Sequence, residues 1–173
     1  MFYHDRKTRN QFVASHFRHT LGGSVLNVGG GGSNHLASFI SPVSYTEIDI
    51  AGSPDIVFDL DCGSELPISS NSYDCVVCTD VLEHLENFHF IFSELLRISS
   101  SDVIISLPNI SNVFRSYLSR SIYNPNDDTY PSYYYGSYSK YYGLPLFQPN
   151  DRHRWFFSYF ELEIKVFVKY KHA

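Results

Sequence analysis

Ser24-Val25-Leu26-Asn27-Val28-Gly29-Gly30-Gly31-Gly32-Ser33-Asn34-His35-Leu36 is the stretch on which the reading of the whole chain turns. Val25 to Val28 is a short aliphatic and β-branched run, which predicts a buried strand. It stops at four consecutive glycines, and Asn34 to Ile40 then opens a helix-like run. Strand, glycine turn and helix make the first half of a nucleotide-binding unit. There the backbone turns tightly and comes close to a ligand, and a Cβ would obstruct both. The N–H groups at the helix start are free to meet a polar or anionic ligand group. An ordinary flexible turn is the plainer alternative, so a second element at the right distance is required.

Asp49 supplies it. Val43 to Ile50 alternates apolar and polar residues, predicting a second strand that carries Asp49 near its end, twenty positions after Gly29. In doubly wound sheets an acid at the tip of the second strand accepts hydrogen bonds from ribose hydroxyls. The competing reading is a turn acid before Ala51-Gly52-Ser53-Pro54. Asp55 to Leu60 predicts a third strand with Asp59 and Asp61 at its end. A loop from Ser64 to Ser72 leads to Tyr73–Thr79, a fourth strand of nearly continuous apolar character, as a strand covered on both faces requires. It runs straight into Asp80-Val81-Leu82-Glu83-His84-Leu85. A helix follows, with Phe88, Ile91, Phe92, Leu95 and Leu96 on one face. Ser101 to Leu107 predicts a fifth strand, stopped by Pro108, and Val113 to Leu118 a further helix. Upstream, Phe12, Val13, Phe17 and Leu21 predict a helix within residues 1–23, ended by Gly22-Gly23.

This alternation of strands and helices predicts an α/β fold, a doubly wound and mostly parallel sheet with helices on both faces. Ligands of such sheets lie at the carboxyl ends of the strands. The glycines, Asp49, Asp59 and Asp80 to His84 all fall at those ends. Residues 121–157 differ: Tyr123, Tyr130, Tyr133, Tyr134, Tyr135, Tyr138, Tyr141 and Tyr142 are interleaved with small and polar residues. A loop that long is functional or disordered, and its tyrosines either stack on a sugar or aromatic acceptor or pack a flap. Within Asp151-Arg152-His153-Arg154-Trp155, the basic residues either hold an anionic group or form a polar turn over Trp155. Ser158 and Glu161 have capping-box spacing, but Leu162, Ile164, Val166, Val168 and Tyr170 alternate, which favours a C-terminal strand.

Composition sets the outer limits. The length of 173 residues suits one domain with a real core. The formal net charge of −5 offers no basic stripe for a phosphate backbone, so nucleic acid is not an expected partner. No apolar run is long enough to span a bilayer, and the polar N-terminus lacks a signal-peptide core. Three cysteines, Cys62, Cys75 and Cys78, make no even framework, which suits the cytoplasm. Cys75-Val76-Val77-Cys78 has metal or redox spacing, but partner ligands are absent and the segment reads as strand interior. Structural cysteines and no metal site are expected.

Taken together, these residues resemble a class I S-adenosylmethionine-dependent methyltransferase of the small-molecule branch. Val25-Leu26-Asn27-Val28-Gly29-Gly30-Gly31 matches the first motif and Glu47-Ile48-Asp49-Ile50 the second. Leu66-Pro67, Asn71-Ser72-Tyr73-Asp74 and Val81-Leu82-Glu83-His84-Leu85 match later ones. The resemblance covers residues 24–107. Asp151 to Phe157 also resembles a segment of methyltransferases found with bacterial surface-glycan biosynthesis. It implies a single Rossmann-like methyltransferase domain over 1–173. That domain would divide into an N-terminal helix (1–23), a cofactor-binding core (24–120), a Tyr-rich cap or acceptor loop (121–157) and a C-terminal strand (158–173).

The resemblance further implies S-adenosylmethionine as cofactor. Asn27, Gly29, Gly30 and Gly31 would hold its methionine part and Asp49 its ribose. Ile50, Asp59 and Leu60 would lie towards adenine, and Thr79, Asp80 and Val81 would flank the methyl-bearing end. The chain departs from the family at Asn27, where an acid is usual, and at Ser33, where a last glycine is usual. Asparagine keeps the hydrogen bonding but not the charge, and Ser33 could cap the following helix. The family sheet also ends in an antiparallel hairpin, which this chain is expected to lack in part, be it shortened, truncated or completed by a partner.

Methyl transfer from a sulfonium needs an aligned acceptor and the exclusion of water. A hydroxyl acceptor also needs a general base. His84 is the first candidate and His153 the second, with Arg152, Arg154 and Tyr142 holding the acceptor, a small molecule or a saccharide. A homodimer is left open. Two other functions compete: a non-catalytic cofactor-binding or interaction module, for which Asn27 and Ser33 speak, and a nicotinamide-dependent oxidoreductase, against which Val81 to Leu85 speaks.

Overall fold

The computed structural model describes residues 6–31 and 36–107 and the backbone of 164–168. Among the described residues, two α-helices, α1 (Arg6–His16) and α2 (Phe88–Ile98), accompany six strands: β1 (Ser24–Val28), β2 (Ser44–Asp49), β3 (Ile56–Val57), β4 (Tyr73–Thr79), β5 (Ser99–Ser106) and β6 (Ile164–Val168). The strands form one sheet in the order β3-β2-β1-β4-β5-β6. β1 to β5 pair in parallel, and β6 lies antiparallel to β5. The chain walks outward from β1 to β3, then returns across β1 to begin β4. That reversal opens a crevice at the carboxyl ends of β1 and β4.

Strand alternation builds two cores, one on each face. Leu26, Val28, Ile48, Val76, Cys78, Val103 and Ile105 point to one side, where α2 buries Ile91, Leu95 and Ile98 against them. Val25, Cys75, Val77 and Ile104 point to the other, against Val13 of α1, Leu21 and Leu36. The expected α/β sheet with helices on both faces is therefore present, and the antiparallel strand β6 falls inside the segment expected to end the chain as a strand.

Two expectations differ in extent. The third strand shrinks from Asp55–Leu60 to Ile56–Val57 because the carboxylates around it capture backbone donors. Asp55 Oδ2 accepts the Glu47 N–H at 2.7 Å, and Asp59 Oδ1 accepts the Asp61 N–H at 2.9 Å. After the glycines, the described residues hold only a single 3-10 turn, Ala37–Phe39, with Ile40 extended. Pro42 lies two residues on and disfavours helix ahead of it. The helix expected after β4 begins at Phe88, and the run from Asp80 to Leu85 ahead of it holds a separate 3-10 turn, Leu82–His84. The expected helix at 113–118, the tyrosine-rich segment and the capping box at Ser158 lie outside the described residues.

At the opposite end from the crevice, Asp74 clamps β4 to β1. Its Oδ2 accepts the Ser24 N–H and the Ser24 hydroxyl, both at 2.8 Å, and the Asp74 N–H donates to Ser24 Oγ at 2.9 Å. A Cβ at Gly23 would collide with that carboxylate. The Ser24 backbone bond, then its hydroxyl, hold the Asp74 pKa below its ordinary value. A lowered pKa means stability that is complete above the ordinary carboxylate range and lost as the pH falls through the depressed value. Asp74→Ala should therefore cost about 1 kcal/mol at neutral pH, a figure kept small by solvent exposure. The difference from wild type should vanish in acid. Urea unfolding as a function of pH checks it, and a deficit that persists or grows in acid contradicts it.

Candidate active site

The crevice is built from the glycine turn. Gly29 and Gly31 have φ of +74° and +78°, a region that favours glycine. The Gly29 N–H donates to Ile48 O at 2.9 Å, extending the β1–β2 pairing by one step. The Gly31 N–H donates to Asp49 Oδ2 at 2.6 Å, and Asp49 Oδ1 accepts the Ala51 N–H at 3.0 Å. The turn and the acid at the tip of β2 thus face one another across a hydrogen bond. Side chains are excluded for a second reason: a Cβ on Gly29 would run into the Val81 side chain, and one on Gly30 into Asn27 and Glu47. Segments far apart in sequence meet at these bare positions.

The neighbouring loops are tied to the same place. Phe58 N–H donates to Asp49 O at 2.9 Å. Asp61 Oδ1 accepts the N–H groups of Glu86 and Asn87 at 3.0 and 3.3 Å, joining the loop after β3 to the start of α2. Leu60 is buried in the core on the α2 face, whereas Ile50, next to Asp49, is 63% exposed, an apolar surface left open beside the carboxylate. Thr79 ends β4 and is buried. Asp80 follows at φ +54°, a strained conformation for a residue with a Cβ. It is held there by three bonds: its N–H to Ser106 O, its Oδ1 from the Ser106 hydroxyl at 2.6 Å, and its Oδ2 from the buried Arg9 of α1.

Of the residues singled out from sequence, Asn27, Gly29, Gly30, Gly31, Asp49, Ile50, Asp80 and Val81 gather around this end of the sheet. His84 ends the 3-10 turn Leu82–His84, its side chain partly buried, with Nε2 3.8 Å from Glu83 Oε1. Tyr142, Arg152, His153 and Arg154 lie outside the described residues. Two residues at this end of the sheet were not singled out from sequence. Arg9 gave no signal, because a helix arginine usually faces solvent. Glu47 was readable only as one member of an alternating strand; its side chain is 1% exposed. The register pairs its Cα with that of Asn27. Tyr45, on the same face of β2, has its pKa raised by burial and then by the charge of Glu47, while contact with Asn27 acts the other way.

Residues 26–107 match the family model described as a methyltransferase domain. The match covers a little under half of the chain, and over that segment the chain is similar to methyltransferase domains. No curated protein matches the chain. Among solved structures, magnesium protoporphyrin IX methyltransferase from Synechocystis, with S-adenosylhomocysteine bound, is 18% identical, with 68% of this chain and 64% of that one covered and a TM-score of 0.49. A methyltransferase in complex with the Trm112 activator from Haloferax volcanii is 17% identical, with 65% and 62% covered and a TM-score of 0.47. An S-adenosylmethionine-dependent methyltransferase from Mesorhizobium loti is 17% identical, with 56% and 54% covered and a TM-score of 0.43. The match thus spans less than two thirds of the length of each of these proteins.

Strand alternation also accounts for the paired cysteines. Three positions apart on a strand, Cys75 and Cys78 point to opposite faces and enter different cores. Burial, ahead of the charges of Asp102 and Asp74, pushes the Cys75 thiol up to about 12, and burial raises Cys78 as well. Neither is a nucleophile or joint ligand. Cys62 is exposed. Under native conditions, Ellman's reagent should titrate Cys62 alone, with Cys75 and Cys78 reacting only after unfolding. Rapid native reaction of either would contradict the packing.

Proposed function

We propose that the chain binds S-adenosylmethionine in this crevice and transfers its methyl group to a small-molecule or glycan-type acceptor. The observation that carries the proposal is the 2.6 Å bond from Gly31 N–H to Asp49, which brings the bare turn and the β2 acid together. The residues present fit the cofactor. A Cβ at Gly29 would strike Val81 and one at Gly30 would strike Asn27 and Glu47, so only glycine lets the turn lie this close over the strand ends. Asp49 accepts two backbone bonds and, with about four lone-pair sites on a carboxylate, retains capacity for ribose hydroxyls. Ile50 offers exposed apolar surface for adenine, next to the loop that carries Asp59 and, turned into the core, Leu60.

When bound, the cofactor supplies an electrophilic methyl group on a sulfonium. This chain's residues do the rest by placement. Asn27 and Gly29 to Gly31 take the methionine part. Thr79, Asp80 and Val81 border the methyl-bearing end, where the Arg9 and Ser106 bonds stop Asp80 from relaxing. A hydroxyl acceptor loses its proton to a base, His84 in the first instance and His153 in the second, and Arg152, Arg154 and Tyr142 hold the acceptor. His84 suits the role because a neutral imidazole nitrogen can accept a proton and because it follows β4 by only a few residues.

S-Adenosylhomocysteine should raise the melting temperature and NAD should not. At a concentration 100 times Kd the added stability is about 2.7 kcal/mol. Asp49→Ala should weaken the homocysteine compound by about tenfold, one charge-assisted hydrogen-bonding group being lost. Stabilisation by NAD instead would favour an oxidoreductase, and no stabilisation by either would remove the cofactor reading. His84→Ala should lower turnover about a hundredfold with S-adenosylhomocysteine affinity unchanged. Unchanged turnover passes the role to His153, and if His153→Ala is also silent, neither is the base. Binding with no turnover on any acceptor would favour the non-catalytic module.

A further inference from the structure

Asn27 leaves the glycine turn without the carboxylate that this family usually places at the end of its first strand. The structure puts one there from the next strand. β1 and β2 are parallel, with Asn27 directly across from Glu47. Both side chains lie beneath Gly30, where a single added Cβ would strike the Asn27 amide and the Glu47 carboxylate together. Both are buried, Asn27 at 5% and Glu47 at 1% exposed. We propose that Glu47 is a positioning residue of the cofactor site, its carboxylate supplying from β2, beneath the glycine turn, the negative charge that Asn27 does not.

The inference rests on the reading of the crevice as an S-adenosylmethionine site and adds the residue that favours the cationic methionine end. The charge acts through the turn, because Glu47 is covered by it. Coulomb attraction from a buried, solvent-shielded carboxylate reaches several ångströms with little screening. Asn27 keeps the hydrogen bonding at the strand end, and Glu47 brings the charge, so one residue's two tasks are shared between paired positions. A purely structural role for Glu47 would hold the turn in shape for any adenosyl ligand. A charge role distinguishes ligands that carry the amino-acid part from those that lack it.

Calorimetry on the full chain tests this with two ligands, S-adenosylhomocysteine, which has the α-ammonium, and 5′-methylthioadenosine, which lacks it. Glu47→Gln should weaken S-adenosylhomocysteine about tenfold while leaving 5′-methylthioadenosine within twofold. The double variant Asn27→Asp with Glu47→Gln moves the charge back to β1 and should recover S-adenosylhomocysteine affinity to within about threefold of wild type. Equal losses for both ligands, or no loss for either, would overturn the proposal. Should Glu47→Gln fail to fold, the double variant decides alone: near wild-type S-adenosylhomocysteine affinity supports the charge role, and weak binding or failure to fold overturns it. A wild-type chain that binds neither ligand overturns the cofactor reading and this inference with it. A wild type that binds both while the variants are indifferent overturns this inference only.

Discussion

One hydrogen bond, from the Gly31 N–H to the Asp49 carboxylate, joins the two sequence features that matter most. It works because β1 and β2 are parallel neighbours ending at the same level, Val28 opposite Ile48. The chain leaving β1 then passes directly above the last residue of β2. A positive φ at Gly29 and again at Gly31 turns the backbone back over the sheet instead of away from it. With side chains at these positions, the turn would have to lift off Val81, Asn27 and Glu47, and its N–H groups would no longer face the acid. The shape of the crevice is thus a property of bare backbone, and the carboxylate fixes its height.

The walls around this turn are set by polar contacts rather than by more apolar packing. Asp80 is bound to α1 through Arg9 and to β5 through Ser106, so the loop after β4 is anchored on both sides of the sheet end. Further out, the buried Glu94 of α2 accepts the Leu66 N–H at 2.9 Å and pairs with Arg97 through both its oxygens at 2.7 and 2.6 Å. Arg97 then donates to Ile68 O and Leu66 O. The Arg97 bonds, first among the causes, hold the Glu94 carboxyl below its usual range. Loops have few apolar contacts to hold them, and each unsatisfied buried group would cost about 1–3 kcal/mol. Capturing their backbone groups with carboxylates and guanidinium groups orders them without enlarging the core.

Most of the fold was legible because hydrophobic periodicity reports burial, and burial is what the sheet imposes. The runs Val25–Val28, Tyr73–Thr79 and Ser101–Leu107 each became a strand within a residue or two of the expected bounds. Periodicity failed where hydrogen bonding overrode it. Asp55 and Asp59 spent their carboxylates on neighbouring N–H groups and cut the third strand to two residues. On the site side, the glycines and Asp49 were legible because they answer to backbone geometry and chain spacing, both written in one dimension. Arg9 was not, since its meeting with Asp80 spans 71 positions and depends on how α1 crosses the sheet. Cys75 and Cys78 show the converse: a spacing that suggests a joint site dissolves once the segment is a strand, because the two thiols leave on opposite sides.

Glu47 belongs to a third category, legible only after the register is known. Read along β2, Tyr45, Glu47 and Asp49 are alternate residues of one face, and nothing marks the middle one as different from a solvent-facing acid. The pairing of Asn27 with Glu47 changes that, because residues opposite one another on parallel strands share a patch of surface about 5 Å across. Within such a patch, the ligand-facing field depends on where the charge is in space, not on which strand carries it. An asparagine in the first motif, taken by itself, argues for a weakened site. On the proposed role of Glu47, the buried carboxylate facing it across the ladder supplies the local charge instead, and the departure from the family pattern is then one of address rather than of electrostatics.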